Sequence, residues 1–456
     1  MKPKQMLSLF CVALILSPLL ISCSALQTLF KEDERPNFLI IVTDDQRYDT
    51  MQYMPLTQKT IFDQGVTFSN AMITTPLCCP SRASILTGEY AHNHGVQDND
   101  GELTQDTFIH ALKASGYSTA LVGKYLNTWN GDARPEFDYW VSFQYGESRY
   151  NNPRLNVNGE WSRHEGAYIT DALTEYAIEY LQTASRKRTP FVLLLTYNAP
   201  HDPAVPATED KFLPLELPPR LPSFNEVDLT DKPAWIDVKE PPLTDETIKE
   251  IDAFRRGQIL TLYSLDRDIA KVLDTLRDTG ELDKTVIIFL SDNGRHWGEH
   301  RLIAKNTVYE ESIRVPFAVR YPPLIAEPRL ESRIVANLDI APTLYELAGL
   351  PIPLQMDGYS LVNLLQDNAP NWREGVLIEG WPPRGKYVAI RTSDFLYAET
   401  TEGANTPSAE PELELYDLVQ DPYQMESVAN NPEYQETLAH LQALLKAELE
   451  RSGANP

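Results

Sequence analysis

Short, uninterrupted apolar runs recur along this chain of 456 residues. The clearest are "FLIIVT" from Phe38, "STALVG" from Ser118, "FVLLLTY" from Phe191, "TVIIFLS" from Thr285 and "RVPFAVR" from Arg314. Each shows little polar alternation and is followed by a polar cluster and then a helical pattern. Strands of this kind are covered on both faces, so the pattern predicts an α/β fold in which helices flank a mostly parallel sheet. The strongest amphipathic helix is predicted over residues 248–276.

Polar side chains follow four of these runs, at the point where each predicted strand ends. They are Thr43, Asp44, Asp45 and Gln46 after the first run, Gly123, Lys124 and Tyr125 after the second, Asn198, His201 and Asp202 after the third, and Ser291, Asp292, Asn293 and Gly294 after the fourth. Taken singly, each is an ordinary cap or turn residue. Ligands of open α/β sheets, however, bind outside the carboxyl ends of the strands, so we expect these side chains to converge on one rim.

An all-oxygen set of side chains belongs to this rim: Asp44, Asp45, Asp292 and Asn293. Carboxylate and amide oxygens suit Ca²⁺ or Mg²⁺ better than zinc or copper. A divalent cation would reduce the repulsion among the carboxylates and would polarise an anionic ester. The sequence therefore predicts a hard-cation site.

The N-terminal residues indicate export. Lys2 and Lys4 precede an apolar run over 7–21, which has the length of a signal-peptide core and is short for a membrane span. The run ends in "LLISC", the pattern of a lipoprotein signal that is cut before Cys23 and leaves this cysteine lipidated; a plain secretory signal is the alternative. We predict a signal and lipidation residue over 1–23, a linker over 24–36, and an exported protein that touches the membrane only through its lipid anchor, in the periplasm or at the cell surface, or else is secreted.

The cysteine count and the net charge argue against a disulfide-stabilised fold and against some classes of binding partner. Cys11 lies in the predicted signal and Cys23 is the predicted lipid site, so only Cys78 and Cys79 remain, too few for a disulfide framework. The formal charge of -25 disfavours nucleic acid and broad contact with an anionic membrane as partners. A polyanionic substrate would need a local basic pocket, which favours a short oligosaccharide or a chain end.

The segment from Cys78 to Gly88, "CCPSRASILTG", resembles the type I sulfatase signature, Cys-x-Pro-Ser-Arg followed by Leu-Thr-Gly. Further matching pieces are "TDDQ" at Thr43, "GKYLN" at Gly123, "APHDP" at Ala199, "SDNG" at Ser291, "DIAPTLYELAG" at Asp339, "MDGYSL" at Met356 and "LYDLVQDPYQ" at Leu415. The likeness extends over residues 36–430. The sequences of the signature, of "HNHGV" and of "GKYLN" most resemble the N-acetylglucosamine-6-sulfatase branch.

The resemblance implies an alkaline-phosphatase-like sulfatase fold and hydrolysis of a sulfate monoester, on a sulfated carbohydrate or another sulfate ester. In this family a separate maturation enzyme oxidises the first signature cysteine to Cα-formylglycine (3-oxoalanine), and the hydrate of that aldehyde attacks sulfur. Register assigns the role to Cys78, because only this cysteine has proline two and arginine four positions on. Cys78 would also complete the metal set, whereas Cys79 is expected to pack.

Cationic and imidazole side chains complete the expected site. Lys124 and, by the resemblance, Lys305 would hold the sulfate oxygens, and His201 is the candidate acid for the leaving oxygen. Arg82, one helical turn beyond position 78, would hydrogen-bond the hydrate and the metal ligands. The family often has a histidine two positions after the first lysine; this chain has Leu126, and Asn127 is expected to fill that volume.

The remaining histidines are ambiguous from sequence. His94 is expected either to face the sugar as a substrate-binding residue or to cap the signature helix. The "RHWGEH" stretch contains His296, Glu299 and His300, but their spacing does not match a helical two-histidine zinc motif. We expect these three residues in the wall of the pocket.

Two domains are predicted after the linker, a catalytic domain over 37–365 and a small α+β domain over 366–456. Ten prolines from Pro200 to Pro242 predict a long ordered loop across the mouth of the site. The second domain is read from the strands "GVLIEGW", "KYVAIRT" and "FLYAET", a polar hairpin loop "EGANTPSAEPE" and a helix over 432–452.

Three functions stay open at this point. A formylglycine sulfatase is favoured by the Cys78 signature. A phosphomonoesterase or phosphodiesterase of the same superfamily is the enzyme alternative, and such relatives usually hold two zinc ions with additional histidine and aspartate ligands. A lipoprotein that binds sulfated glycan without catalysis is the third, although it would have little reason to keep the full oxygen set beside Cys78.

Overall fold

The computed structural model describes residues 35–236, 241–382, 385–403 and 406–454. The predicted signal and lipidation residue over 1–23, and the predicted linker up to residue 34, lie outside the described residues. Residues Pro36–Pro456 form one compact unit. Throughout the described ranges, every helix is too short or too polar to cross a bilayer.

The strands of the described residues, in chain order, are β1 (Asn37–Thr43), β2 (Val66–Phe68), β3 (Ala71–Met72), β4 (Ser118–Gly123), β5 (Tyr139–Ser142), β6 (Arg154–Val157), β7 (Glu160–Arg163), β8 (Phe191–Thr196), β9 (Thr285–Ser291), β10 (Phe317–Arg320), β11 (Arg329–Glu331), β12 (Val335–Ala336), β13 (Gly375–Gly380), β14 (Lys386–Thr392), β15 (Phe395–Gly403) and β16 (Thr406–Asp417). They form a large sheet in the order β11-β2-β10-β9-β1-β8-β4-β5-β6-β7, a pair β12-β3, and a second sheet β13-β14-β15-β16.

The helices are α1 (Pro55–Thr60), α2 (Cys78–Thr87), α3 (Ala91–His94), α4 (Phe108–Ala114), α5 (Ile169–Lys187), α6 (Asp245–Asp278), α7 (Glu310–Ile313), α8 (Ile340–Leu347), α9 (Val362–Leu365) and α10 (Gln435–Ser452). Short 3-10 turns lie at Met51–Tyr53, Phe62–Gln64, Gln144–Gly146, Leu282–Lys284, Asn337–Asp339 and Pro432–Tyr434. The amphipathic helix predicted over 248–276 is the central part of α6.

The centre of the large sheet explains the continuous apolar runs. Strand β1 pairs in parallel with β9 on one side and β8 on the other, and β8 continues in parallel to β4 and β5. Alternate residues of β1 enter opposite cores: Ile40 packs in the core that α2, α4 and α8 cover, and Ile41 in the core that α5 and α6 cover. A strand between two cores has no solvent face, so each buried aliphatic side chain adds roughly 1.5–3 kcal/mol on either face.

Antiparallel strands lie at both edges of the large sheet. Strand β10 pairs antiparallel with β9 and β2, while the β6–β7 hairpin extends the sheet beyond β5. The mostly parallel α/β architecture predicted from the sequence is confirmed, and so is the small antiparallel sheet near the C-terminus.

The C-terminal sheet packs against α10, and buried residues such as Leu377, Ile390, Leu415 and Leu441 belong to one apolar cluster. The expected loop "EGANTPSAEPE" is wrong in extent, because β15 runs to Gly403 and β16 begins at Thr406. The prolines that favoured a loop are tolerated because β16 is an edge strand. The domain boundary between residues 365 and 366 stays a prediction.

The proline-rich connection between β8 and α6 packs on the segment that follows β9. Phe224 bridges to Glu299, and the Asn225 amide donates to Gly298 O at 2.8 Å. Arg301 donates to Val227 O at 2.7 Å. The connection is therefore tied to the chain that leaves β9, on the rim where the predicted site residues lie.

Candidate active site

The ends of two neighbouring parallel strands bring the predicted carboxylates together. Asp44 and Asp45 follow β1, and Asp292 and Asn293 follow β9; all four are fully buried. The Asp45 amide donates to Asp292 Oδ1 at 3.2 Å, and Asn293 Nδ2 donates to Asp45 Oδ1 at 2.7 Å. Asp45 has a left-handed backbone with φ of 66°, which turns its side chain off the course of the strand. The all-oxygen set thus occupies one small volume.

The helix α2, which we call the signature helix, places Cys78 at the edge of this volume. Its ten residues are all buried, and it ends at Gly88 with φ of 74°, a left-handed cap that favours glycine. Cys78 Sγ lies 3.6 Å from Asp44 Oδ1. Cys79 points into the apolar core, with its Sγ 3.7 Å from Gly101 O. Adjacent positions on the helix therefore separate one cysteine that faces the carboxylates from one that packs.

Two buried lysines flank Cys78. Lys124 Nζ lies 2.6 Å from Asp44 Oδ2, with its side chain fully buried. Lys305 Nζ lies 2.8 Å from Cys78 Sγ and also contacts Asp45 Oδ1. Burial of such ammonium groups is costly unless they are paired, so the carboxylates and the lysines stabilise one another here.

Arg82 joins the signature helix to both strand ends. Its Nε and Nη2 each lie 2.8 Å from Asp292 Oδ2, and its Nη1 donates to Lys124 O at 3.1 Å. Nη2 is 3.6 Å from Asp44 Oδ2. The guanidinium thus fixes the orientation of Asp292 and the main chain of Lys124 at the same time.

The position of Lys124 depends on the glycine before it. Gly123 has φ of 120°, and a Cβ built there would lie 1.8 Å from Thr196 O. The Lys124 amide donates to Thr196 O at 2.9 Å, and Thr196 Oγ1 donates back to Lys124 O at 2.6 Å. Only glycine allows β4 and β8 to approach this closely at their carboxyl ends.

His201 forms the boundary between the buried cluster and solvent. Its Nε2 lies 3.9 Å from Asp45 Oδ2, and its side chain is 19% exposed. Nδ1 lies 2.9 Å from Asp202 O, an atom that can only accept, so Nδ1 carries a proton. Tyr150 OH donates to His201 O at 2.7 Å and fixes the main chain.

A cavity of about 720 Å³ opens beside His201. Its lining is Glu147, Ser148, Arg149, Tyr150, Asn151, Asn198, His201, Asp202, Pro203 and Val205. The volume lies within the range of small-molecule sites, roughly 300–1,000 Å³. A ligand in this cavity would meet the buried cluster through His201 and Asn198.

Two of the three carboxylates of the cluster are held in their ionised form, whereas burial and the neighbouring Asp44 raise the pKa of Asp292. Burial raises the pKa of Asp44, but the neighbouring Lys124 outweighs it, and the net pKa lies well below its usual range. The same balance between burial and the ammonium of Lys305 holds the pKa of Asp45 very low. The neighbouring lysines therefore favour the charged form of both Asp44 and Asp45.

The unmodified Cys78 thiol is poorly suited to act as a nucleophile. Burial raises its pKa to about 12, even though Lys124 and Lys305 lower it. The thiolate is the nucleophilic form of cysteine, and it is scarce at neutral pH when the pKa is so high. Unmodified Cys78 is therefore not an activated thiol nucleophile.

The cluster fits a divalent cation. Ligand atoms of Asp44, Asp45, Cys78 and His201 all lie within 4.8 Å of one another. Asn293 Oδ1 is buried without a hydrogen-bond partner in the protein, so this oxygen is a donor that the fold leaves unused. Buried carboxylates with a spare amide oxygen suit a hard cation.

His94 does not reach this cluster. Its Nε2 lies 3.0 Å from Ser84 Oγ on the signature helix, and its Nδ1 accepts from the Val96 amide at 3.1 Å. Both ring nitrogens are therefore engaged inside the protein, and the residue is buried. The expectation of a sugar contact is corrected: His94 supports the signature helix.

Leu126 and Asn127 point to different surroundings. Leu126 is part of the apolar core, so it replaces no polar group in the site. Asn127 is half-buried with an unpartnered Oδ1, and a Cβ at Gly146 would touch both Asn127 and Lys124. Asn127 thus lies beside the buried lysine.

The two histidines and Glu299 of "RHWGEH" make their side-chain contacts outside the carboxylate cluster. His296 Nε2 is 2.8 Å from Thr307 Oγ1, and His300 Nδ1 is 2.6 Å from Glu226 Oε2. Both rings are fully buried, and Glu299 is 3% exposed. The expected place in a pocket wall is not found at the cavity described above: Glu299 and His300 contact the proline-rich connection, and His296 contacts Thr307.

Arg295 escaped the sequence analysis, whereas Asn198 was among the residues expected on the rim. Arg295 Nη1 donates to Asp45 Oδ2 at 2.9 Å, and Asn198 lines the cavity with both amide atoms buried and unpartnered. Both follow strand ends that the sequence did identify, "TYN" and "SDNGR", so position along the strand was the available signal. The cavity wall over 147–151 carried no such signal.

Comparisons with known proteins agree with this geometry. A family model described as Sulfatase matches residues 36–350, and one described as N-sulphoglucosamine sulphohydrolase, C-terminal, matches 298–451. The N-acetylglucosamine-6-sulfatase of Homo sapiens is 33% identical over 87% of this chain and 81% of its own length. The extracellular sulfatase SULF-1 homolog of Drosophila melanogaster is 33% identical over 76% of this chain, which spans only 33% of that relative's length.

Among solved structures, a protein in complex with its substrate D-glucosamine-2-N,6-O-disulfate superposes with a TM-score of 0.78 at 25% identity. The superposition covers 92% of this chain and 99% of that protein. The similarity therefore includes both the large sheet and the C-terminal sheet.

Proposed function

Because this chain belongs to the sulfatase family, we propose that it hydrolyses sulfate monoesters of sulfated sugars. The observation that carries the proposal is the meeting of Cys78 with two buried lysines and two ionised carboxylates beside an open cavity. A sulfate ester is an anion that resists attack by another anion. A site that concentrates positive charge around a positioned nucleophile meets that difficulty.

For the substrate we propose a 6-sulfated N-acetylglucosamine unit. The human relative is named for that ester, and the structural neighbour was solved with a 6-sulfated glucosamine. The cavity beside His201 has room for a sugar, and its polar lining suits hydroxyl groups.

We propose that Cys78 is converted to formylglycine by a separate maturation enzyme. The high pKa of the buried thiol supports this, because the thiol itself is not activated. When present, the hydrated aldehyde would supply a hydroxyl nucleophile for sulfur. The free neighbour Cys79 is turned into the core and out of reach of the carboxylates.

We propose Ca²⁺, with Mg²⁺ as the alternative, as the cation. Asp44, Asp45, Asp292 and Asn293 would hold it, together with the group at position 78. When bound, the cation would supply positive charge beside the nucleophile and the sulfate. Carboxylates with an amide oxygen match the hard-oxygen preference of both ions.

The lysines and Arg82 position the sulfate. Lys305 contacts Cys78 Sγ and Lys124 contacts Asp44, which itself contacts Cys78, so both ammonium groups would neutralise sulfate oxygens near that point. Arg82 contacts Asp292 and the Lys124 carbonyl. In this arrangement Arg82 fixes the positions of Asp292 and Lys124, while both lysines face the ester.

We propose that His201 protonates the leaving sugar oxygen. Its Nδ1 proton is held on Asp202 O, which leaves Nε2 directed to the boundary of the cavity. Nε2 also lies 3.9 Å from Asp45 Oδ2. A protonated Nε2 would donate to the oxygen that departs from sulfur.

We also propose that the protein is exported as a lipoprotein anchored through Cys23. The support is the basic start, the apolar run and the "LLISC" sequence. Sulfated glycans outside the cytoplasm would then be its substrates. A shift of mature mass by a lipid, lost in Cys23→Ala, is the expected result; an unlipidated N-terminus in the native host would contradict it.

The reaction is tested with paired esters, N-acetylglucosamine 6-sulfate and N-acetylglucosamine 6-phosphate. We expect sulfate release well above phosphate release, loss of sulfate release in Cys78→Ala, and its retention in Cys79→Ala. Phosphate release without sulfate release would establish the phosphatase alternative. Binding without release of either anion, by protein matured at position 78, would favour the non-catalytic alternative.

A two-zinc phosphatase is also disfavoured by the histidines. Within the described residues, the cluster that meets the ligand distances includes a single histidine, His201. His296 and His300 are bonded elsewhere.

A further inference from the structure

A second cavity continues from the one at His201. It has a volume of about 290 Å³ and shares Glu147, Ser148 and Arg149 with the larger cavity. Its outer wall includes Arg154, Trp161 and Arg163 of the β6–β7 hairpin. The two cavities therefore adjoin through these residues, between His201 and the β6–β7 hairpin.

The hairpin places like charges directly opposite each other. Arg154 and Arg163 are partners in the register of β6 and β7, so their side chains are on the same face. Opposed like charges on an antiparallel pair are destabilising. The repulsion between these two arginines has a cost that a bound anion would relieve.

The arginines are only partly neutralised by the protein. Arg163 pairs with Glu165 at 3.0 Å, whereas Arg154 stacks over the Trp161 ring at 4.7 Å. In the part of the chain that the structure describes, neither Arg149 nor Arg154 makes an ion pair with a carboxylate. Both are exposed toward solvent, so their guanidinium groups are free to bind an anion bidentately.

The aromatic ring adds a surface for a sugar. Trp161 is half-buried at the wall of the second cavity. Arginine stacked on an aromatic ring stays oriented at little entropic cost. A ring of this kind beside two guanidinium groups fits a sugar that carries an oxyanion.

We propose that this second cavity is a subsite for a neighbouring sugar that carries its own anionic group, a sulfate or a carboxylate. Arg149, Arg154 and Arg163 bind the oxyanion, and Trp161 contacts the sugar ring. The substrate is then an acidic oligosaccharide with the scissile ester at His201 and a second anion at the hairpin. This inference rests on the proposed function, since it names the substrate of the same site.

The test compares four probes: N-acetylglucosamine 6-sulfate alone, and the same sugar in a disaccharide whose second sugar is neutral, carboxylated or sulfated. The variants are Arg154→Ala and Arg163→Ala. Arg186→Ala is the matched control, because it removes one exposed positive charge at the end of α5, near the opposite ends of the strands.

We expect Arg154→Ala and Arg163→Ala each to lower the ratio of kcat/KM for anionic disaccharide over monosaccharide about 10-fold, mainly through KM. Arg186→Ala should leave this ratio unchanged. The carboxylated and the sulfated disaccharide identify which anion is the better match. An unchanged ratio in both hairpin variants, or an equal loss with the neutral disaccharide, overturns the proposal.

Failure of the proposed function would look different. The wild-type protein would then release sulfate from none of the four probes. Calorimetric binding of the sulfated disaccharide still decides the subsite in that case. About 10-fold weaker binding in the hairpin variants than in Arg186→Ala supports the subsite, and equal affinity rejects it.

Discussion

Replacing Gly123 by alanine should damage both stability and activity. A Cβ at this position lies 1.8 Å from Thr196 O, and φ is 120°. Positive-φ strain costs about 1–3 kcal/mol, and forced overpacking costs about 1–3 kcal/mol more. We therefore expect Gly123→Ala to lower the free energy of unfolding by about 2–6 kcal/mol.

Gly280→Ala is the control for the backbone alone. Gly280 has φ of 76°, and a Cβ there meets nothing within 4 Å, so strain of about 1–2 kcal/mol is the expected cost. The lower chain entropy of unfolded alanine affects both variants equally. The difference between them thus reports the close approach of β4 and β8 together with the larger backbone strain of alanine at φ of 120°.

The assay is urea unfolding of both variants beside sulfate release. Lys124 follows Gly123, and a displacement near 1 Å of a positioning group can lower the rate about 100-fold. We expect that loss in Gly123→Ala and near-normal release in Gly280→Ala. Equal stability of the two variants, or full activity in folded Gly123→Ala, would refute the reasoning.

Three further results are expected. Lys124→Met should lower kcat/KM by about 100-fold or more, against no change for the exposed control Lys446→Met; similar losses in both would contradict the role of Lys124. Chelation of divalent cations should abolish sulfate release and lower the melting temperature, with recovery on adding Ca²⁺, whereas activity that survives complete chelation would exclude the cation. Burial raises the pKa of Glu414 to about 7 although Tyr309 and Tyr416 donate to it, so its contribution to stability is lost as pH rises through 7. Glu414→Gln should therefore gain about 1–3 kcal/mol over wild type at pH 8 and little at pH 5; an equal gain at both would refute this.

The sequence was most informative where burial imposed a pattern. Strands β1, β8 and β9 lie between two cores, so their residues are uniformly apolar and their ends are sharp. Because parallel strands end at one rim, the sequence alone was enough to place Asp44, Asp292 and His201 together. The chemistry of Cys78 came from the resemblance of its motif to a family.

The parts that sequence could not supply lie where few side chains are buried. Strands β6 and β7 have four residues each and lie at a sheet edge, so no apolar run marks them. The pairing of β6 with β7 brings Arg154 opposite Arg163, and the sequence shows neither this pair nor the cavity wall over 147–151. The sequence left two roles open for His94 for a related reason, because the direction of a side chain at a helix end depends on tertiary packing.

The most direct test of the proposed chemistry is the mass of the tryptic peptide 60–82 from protein made in its native host. This peptide contains both Cys78 and Cys79. We predict replacement of the thiol by an aldehyde at Cys78 and an unmodified Cys79. Two unmodified cysteines in protein that releases sulfate would contradict the assignment of Cys78 as the precursor of the nucleophile.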